Sequence, residues 1–378
     1  MAKLEDMANS LSRDTEARLE AAQAEARNLV RELKAVRGDL GRALEVRDVL
    51  RDSVKAMLPP PKWPGDKGRK KKAEVAMLAM FSDLQMGEAT DPRQCDGWGR
   101  CNCAILEART QHYGNRLTRY VTVQRAGYTI DECYVVVLGD LISGDIHEEL
   151  MRTNEVPPPV QAILAGRLLA ALVHGLARHF KRVIVHCIGG SNHSRLTKKY
   201  QFKGGALNSY DFVAHEHAFA LLAKCPTVET HHYLSKKEIL NIAGFNFLCG
   251  HGDTVKAWMG IPWYGIERDL SREARRRLER IMEQQRANEP LTAGFDYGLG
   301  AHWHTPFVGP SFRYVVNGSL TGTNELDHTV GRHAPPQQVS MMVSPKHGMF
   351  APVAWRLDTP EEEALLTVDA MDMLGGGR

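Results

Sequence analysis

CYVVVLGDLISGD at Cys133–Asp145 decides how the chain is read: an apolar, β-branched run of strand length ends at Leu138 and gives way at once to a glycine-containing loop with an aspartate as its second residue. A short apolar run bounded by such residues reads as a buried strand, and a polar loop leaving its carboxyl end lies where α/β proteins collect functional groups. The pattern recurs on both sides. Val75–Phe81 runs into SDLQ at Ser82–Gln85, Arg182–Ile188 into GGSNHSR at Gly189–Arg195, and Phe245–Cys249 into GHGD at Gly250–Asp253. GAHWHTP at Gly300–Pro306 follows a polar stretch, and Tyr314–Val316 is a fifth apolar run. Helical stretches separate the runs, so the expected class is α/β, a layered sheet architecture flanked by helices, with a parallel sheet presenting these loops along one edge.

The bulk numbers bound what such a chain can be. Its 378 residues fit one layered enzyme domain with an appendage. With 43% hydrophobic and 25% charged residues the chain can bury a core, which excludes global disorder. A net charge of +3 is too small to define a nucleic-acid binder without local clustering. The sequence offers no run of about 18 apolar residues, and MAKLEDMANSLSRD at the N-terminus is charged where a secretory signal is apolar, so no membrane and a cytoplasmic location are expected. Seven scattered cysteines argue against a disulfide framework. Cys95, Cys101 and Cys103 form the tight group; zinc there would need a fourth ligand, and the spacing fits no familiar zinc motif.

Residues 1–57 are proline-free and rich in Ala, Leu, Glu and Arg, so a long helix is expected. Ala22, Ala26, Leu29, Leu33, Val36, Leu40, Ala43, Leu50, Val54 and Met57 step by three and four, broken by Arg47, which is a heptad seam. It predicts a coiled coil that makes a homo-oligomer or docks on a partner; the alternative is a helix lying across the catalytic domain. Residues 58–73, with PPPKWPGDKGRKKK at Pro59–Lys72, read as a proline-rich basic linker able to meet a phosphate backbone. The catalytic domain is expected over 74–358, with a helical insertion near 264–290 and a C-terminal tail over 359–378.

Together the loops bring two aspartates, an asparagine and three or four histidines to strand ends. Mixed imidazole and carboxylate donors without thiolate suit manganese, iron or zinc better than a pure calcium or magnesium cage. In HWH, His302 and His304 are splayed if the segment is extended or turned, and can address two neighbouring ions. His215 and His217 in AHEHAF lie about 200° apart on a helix, cannot chelate one ion, and read as structural or solvent-facing.

The ordered series resembles the calcineurin-like metallophosphoesterase superfamily, whose pattern is DxH, GD, GNH followed by an acid, a lone His, and GHxH; its DNA-repair exonuclease-like branch is one candidate. The resemblance spans Asp83 to His304 and implies a layered sheet sandwich of the metallophosphoesterase type, flanked by helices. It implies a first metal held by Asp83, Gln85, Asp140 and His304 and a second by Asp140, Asn192, His251 and His302, with Asp140 bridging. It makes His193 the residue that steadies the phosphate and protonates the leaving oxygen. VNGSL at Val316–Leu320 is similar to the NPGS segment that follows GHxH. Departures are Gln85 for the histidine of DxH, Ser194 for the acid after GNH, and Ser191 and Ala301 in the glycine contexts. An amide oxygen is the poorer ligand, so the first site is expected to be the weaker.

What the resemblance implies is a phosphoester hydrolase with two divalent ions, manganese first, with iron, zinc or magnesium as alternatives; cations about 3.5–4 Å apart acidify a shared water and neutralise phosphate. Arg195 and Lys198, close after the third motif, and His147, close after Asp140, are candidate substrate contacts. Lys199 is another basic neighbour, and Glu148 reads as a helix N-terminal acid. The basic linker and the Arg-rich LSREARRRLERIMEQQR at Leu270–Arg286 tilt the substrate towards nucleic acid, a phosphodiester. A protein or small-molecule phosphomonoesterase is the alternative, and a non-catalytic scaffold keeping the fold is the rival from another class.

Overall fold

The computed structural model describes residues 2–56, 71–258, 261–366 and 373, and the chain divides into two compact units, Met1–Arg69 and Lys70–Arg378. In the first, α1 (Ala2–Ala56) is one helix of 55 residues that passes Gly38 and Gly41 without a break. All side chains from Thr15 to Asp52 are exposed, including Leu29, Leu33, Val36, Leu40 and Leu50 of the seam. Most of the linker expected over 58–73 lies outside the described residues.

In the second unit, β1 (Ala73–Glu74), β2 (Ala76–Phe81), α2 (Cys103–Gln124), β3 (Tyr128–Thr129), β4 (Glu132–Val137), α3 (Glu148–Thr153), α4 (Pro158–Ala177), β5 (Arg182–Ile188), α5 (Tyr210–Leu222) and β6 (Val228–Tyr233) come first. There follow β7 (Lys237–Ile242), β8 (Phe245–Gly250), α6 (Trp263–Ala287), β9 (Tyr297–Gly300), β10 (Phe307–Val308), β11 (Tyr314–Val316), α7 (Glu325–Thr329), β12 (Gln337–Ser344), β13 (Gly348–Arg356) and α8 (Glu362–Leu365). The architecture is mixed α/β with two large sheets. One has the order β13-β12-β2-β4-β5-β6, with β2, β4, β5 and β6 mutually parallel and β12 antiparallel to β2. The other has the order β10-β11-β9-β8-β7, parallel at its centre and antiparallel at both edges.

The two-residue period of a strand explains how the layers hold together. Met77, Ala79, Phe81, Val135, Val137, Val183 and Val185 enter one core with the apolar faces of α2, α4 and α5. Their neighbours Leu78, Met80, Val136 and Ile184 point the other way, into a second core with Leu240, Phe247, Leu299 and Val315 of the five-stranded sheet. Both faces of these strands are therefore buried, which is why they read as unbroken apolar runs rather than alternating ones. α4 is long and apolar enough to cross a membrane by composition, but most of that stretch is buried in this core.

The functional loops leave strands of two sheets packed face to face, as in a sandwich, rather than the edge of one parallel sheet. Beyond residue 358, Glu362 of α8 is buried and makes a two-pronged ion pair with the equally buried Arg109, both contacts at 2.8 Å. Arg109 also donates to the carbonyls of Leu320 (2.6 Å) and Thr321 (2.8 Å), while the Leu320 amide donates to the Asp83 carbonyl (3.0 Å). Removing one partner of such a pair leaves a buried charge uncompensated, at about 3–5 kcal/mol.

Candidate metal centre

Each candidate donor stands in the first few residues beyond a strand: Asp83 and Gln85 after β2, Asp140 after β4, Asn192 after β5, His251 after β8, His302 and His304 after β9. The loops are stitched to one another. Asp83 N donates to Gly139 O (3.1 Å), Gln85 N to Asp140 O (3.0 Å), Asp140 N to Ser191 Oγ (2.8 Å), His193 N to Asp140 Oδ1 (3.0 Å) and Ala301 N to His251 O (2.8 Å). Gly144, at φ 69°, allows the second loop to pass against the His193 carbonyl, where a Cβ would collide.

Asp83 (φ 50°), Gln85 (46°), Asp140 (49°), His302 (75°) and His304 (57°) hold left-handed backbone. That conformation costs an ordinary L residue about 1–3 kcal/mol and collects at functional sites. Eleven non-glycine residues adopt positive φ among those described, and five of them are candidate donors.

The side chains converge. Asp140, His251 and His302 offer ligand atoms that all lie within 4.8 Å of one another. His251 Nε2 is 3.0 Å from Asn192 Oδ1 and 3.0 Å from Asp140 Oδ2, while its Nδ1 donates to the Leu138 carbonyl at 2.8 Å. A carbonyl only accepts, so Nδ1 carries a proton and Nε2 faces the centre. On the other side, His304 Nε2 is 3.3 Å from Gln85 Nε2 and 3.5 Å from Asp83 Oδ1, and His302 N lies 3.4 Å from Asp83 Oδ2. Asp83 Oδ1 and Gln85 Oε1 are buried without a hydrogen-bond partner, and Asp140 Oδ2 faces only the His251 ring nitrogen. Buried carboxylate oxygens are normally hydrogen-bonded or on a cation, so the orphaned oxygens and the mixed imidazole, carboxylate and amide donors fit divalent metal.

The electrostatics agree. Burial works to raise the Asp140 carboxyl, but His251 and His193 outweigh it and hold Asp140 well below the usual carboxylate range. Burial would depress His251; Asp140 and Asp83 instead push it up to about 10. His302, desolvated and facing His251, falls to about 3. Asp83 is raised, mainly by burial.

His193 stands beside this cluster without joining it. Its Nδ1 donates to the Ser143 carbonyl at 2.8 Å, and it lines a cleft of about 1110 Å³ shared with Gln85, Asp140, His302 and His304. His147 lines the same cleft, its ring 6.0 Å from that of His193. Arg195, a candidate substrate contact, folds back onto its own loop and donates to the carbonyls of Thr197 (3.0 Å) and Lys198 (3.1 Å). Lys198 is exposed and 3.7 Å from Glu148.

Three supports escaped sequence reasoning, and a fourth, Asn317, lies in the VNGSL segment marked by the resemblance. Glu88 lines the cleft, is raised by burial, and accepts from Asn324 Nδ2 at 2.9 Å. Asp327 lies 3.8 Å behind His304 Nδ1. Asp211 accepts from Ser191 Oγ at 2.5 Å and from Leu141 N at 3.1 Å, so an acid from α5 steadies the third motif, which has Ser194 where an acid is usual. Asn317 of VNGSL donates to Ser82 Oγ (2.8 Å) and Gln338 Oε1 (2.7 Å), tying the first motif to β12. Glu88 sits three residues beyond Gln85 and was within reach of a motif reading; the other three depend on distant pairings.

His215 is fully buried, with neither ring nitrogen partnered, and burial lowers its pKa to about 3. It is a core residue. Cys95, Cys101 and Cys103 are buried free thiols whose pKa values burial raises, Cys95 to about 11. Among the described residues they form no metal-ligating group.

No protein-family model matches the chain, and no curated protein matches it. Among solved structures, Vps29 from Entamoeba histolytica, in complex with zinc, is 11% identical, with 75% of this chain and 99% of that one covered and a TM-score of 0.27. At so slight a likeness the chemistry rests on the geometry of the site itself.

Proposed function

We propose that this chain is a metal-dependent phosphoester hydrolase of the calcineurin-like kind, acting on a nucleic-acid phosphodiester. The observation that carries the reading is the convergence of seven donors from two sheets, two of them, Asp83 and Gln85, with orphaned buried oxygens. Asp83, Gln85, Asp140 and His304 would hold one cation and Asp140, Asn192, His251 and His302 a second, the mixed donor set suiting manganese, iron or zinc. Such ions supply Lewis-acid neutralisation of phosphate and an acidified water.

The rest falls to side chains. Ser143 fixes the His193 tautomer, so that Nε2 faces the cleft, where as imidazolium it donates a proton to the departing oxygen. Glu149, Glu325 and Asp327 line the same cleft, with Arg332 beside Asp327, so seating a phosphate in the centre itself depends on the cations. The test is manganese-dependent turnover of bis(p-nitrophenyl) phosphate, p-nitrophenyl phosphate, and single- and double-stranded DNA, side by side. Diester turnover supports the reading; a monoester preference moves it to a phosphatase, and no turnover leaves a scaffold.

α1 gives this enzyme a means of association, since its seam residues Leu29, Leu33, Val36 and Leu40 are exposed. Deleting residues 1–57 should reduce the mass in solution while metal content is kept; an unchanged mass by light scattering refutes the role.

A further inference from the structure

The loop after His193 carries a feature that the hydrolytic centre does not use. Residues 195–209, RLTKKYQFKGGALNS, contain Arg195, Lys198, Lys199 and Lys203 and no acid. Pairing of Arg195 with Ser209 and a hydrogen bond from Tyr210 N to Ser194 O (2.7 Å) close the loop at its base. Its tip is aromatic. The rings of Tyr200 and Phe202 meet edge-on at 4.9 Å, and Phe202 is 86% exposed, more than any other large apolar side chain among the described residues. Tyr200 is held under Lys236 Nζ (4.6 Å) and the Arg195 guanidinium (5.7 Å). Lys236 is anchored at 2.9 Å to the Asp253 carboxylate, two residues past His251. Lys198 reaches Glu148 at the start of α3, whose Glu149, Leu150 and Thr153 line the cleft, so the loop stands at its rim.

A clamped aromatic pair with one face open to water and lysines around it matches a ligand that is both anionic and planar. Single-stranded nucleic acid has that chemistry, since every unpaired base offers a π-face and every linkage a charge. A duplex keeps its faces stacked inside. We propose that this loop is a platform for single-stranded nucleic acid, with a base on Phe202 and backbone phosphates at Lys198, Lys199 and Lys203. It rests on the reading of the neighbouring centre as a phosphodiester hydrolase, and it names the strand state of the substrate.

The test uses the full chain in EDTA, with fluorescence anisotropy of short oligothymidylate, oligouridylate and a matched duplex across a salt series. Phe202→Ala should weaken single-strand binding about ten- to hundredfold, without moving the melting temperature. A Lys199→Gln, Lys203→Gln double variant should flatten the salt dependence of log K by about 1.4, at ~0.7 per phosphate contact. The platform is overturned if Phe202→Ala binds single strands like the parent, if duplex binds as tightly as single strand, or if anionic phosphatidylserine vesicles compete the oligonucleotides away through the same residues. Hydrolysis of bis(p-nitrophenyl) phosphate by the parent protein separates the two claims. Turnover together with Phe202-independent binding sinks the platform alone; Phe202-dependent binding without turnover upholds the platform and sinks the hydrolase.

Discussion

The two sides of the centre are built to different tolerances. Around Asp140, Asn192, His251 and His302 the donors are already in mutual contact, with both nitrogens of His251 committed at 2.8–3.0 Å. Around Asp83, Gln85 and His304 the closest approaches are 3.3 and 3.5 Å, and the carboxylate behind His304 is 3.8 Å away. One side is held by close side-chain contacts before any ion arrives; on the other the side-chain contacts are longer, an amide stands where the resemblance has an imidazole, and the support behind His304 is looser. Ligand geometry set in advance lowers the cost of binding, so the Asn192 side should take the tighter ion and the Gln85 side the exchangeable one.

The comparison breaks most completely at the residue both sides share. Asp140→Asn should bring turnover to background and reduce metal content on both sides, as measured by elemental analysis; full activity at saturating manganese would remove Asp140 from the centre. Next in size is His193→Ala, expected to slow turnover about 10²–10⁴-fold with both ions retained. Loss of an ion would make His193 a ligand. If it acts as an acid, p-nitrophenyl esters should suffer less than a nucleotide ester, whose alkoxide needs the proton; equal slowing leaves His193 only a phosphate-positioning role.

Smaller effects sharpen the contrast. Asp327→Asn should weaken the Gln85-side ion about 10–100-fold and spare the other, seen as loss of one of two steps in a manganese titration. Weakening of both steps would mean that the sides are not separable. Gln85→His, which supplies the better donor, should tighten that same step by a smaller factor, and no change would show that the amide is not a ligand.

Much of this was legible because it is local. Arg182–Ile188 and Tyr314–Val316 are strands over the residues their apolar runs mark, and the donor loops begin where those runs stop. β6 and β7, VETHHY and KEILNI, are half-exposed and polar enough to hide among loops. Which strands build the second sheet is hidden for a different reason: an apolar run states that both faces are buried, but not against what. The supports of the centre were hidden by distance. His304 meets Gln85 and Asp83 across more than two hundred residues, and Asp211, in the first turn of α5, reads as a surface helix acid until Ser191 is packed upon it.

The most direct test is a crystal of the full chain soaked in manganese, with the anomalous difference map calculated at the manganese edge. Two peaks are expected about 3.5–4 Å apart on either side of Asp140, the stronger against Asn192, His251 and His302 and the weaker against Asp83, Gln85 and His304. A map with no peak among Asp140, His251 and His302, or with its peaks elsewhere in the cleft, would contradict this arrangement.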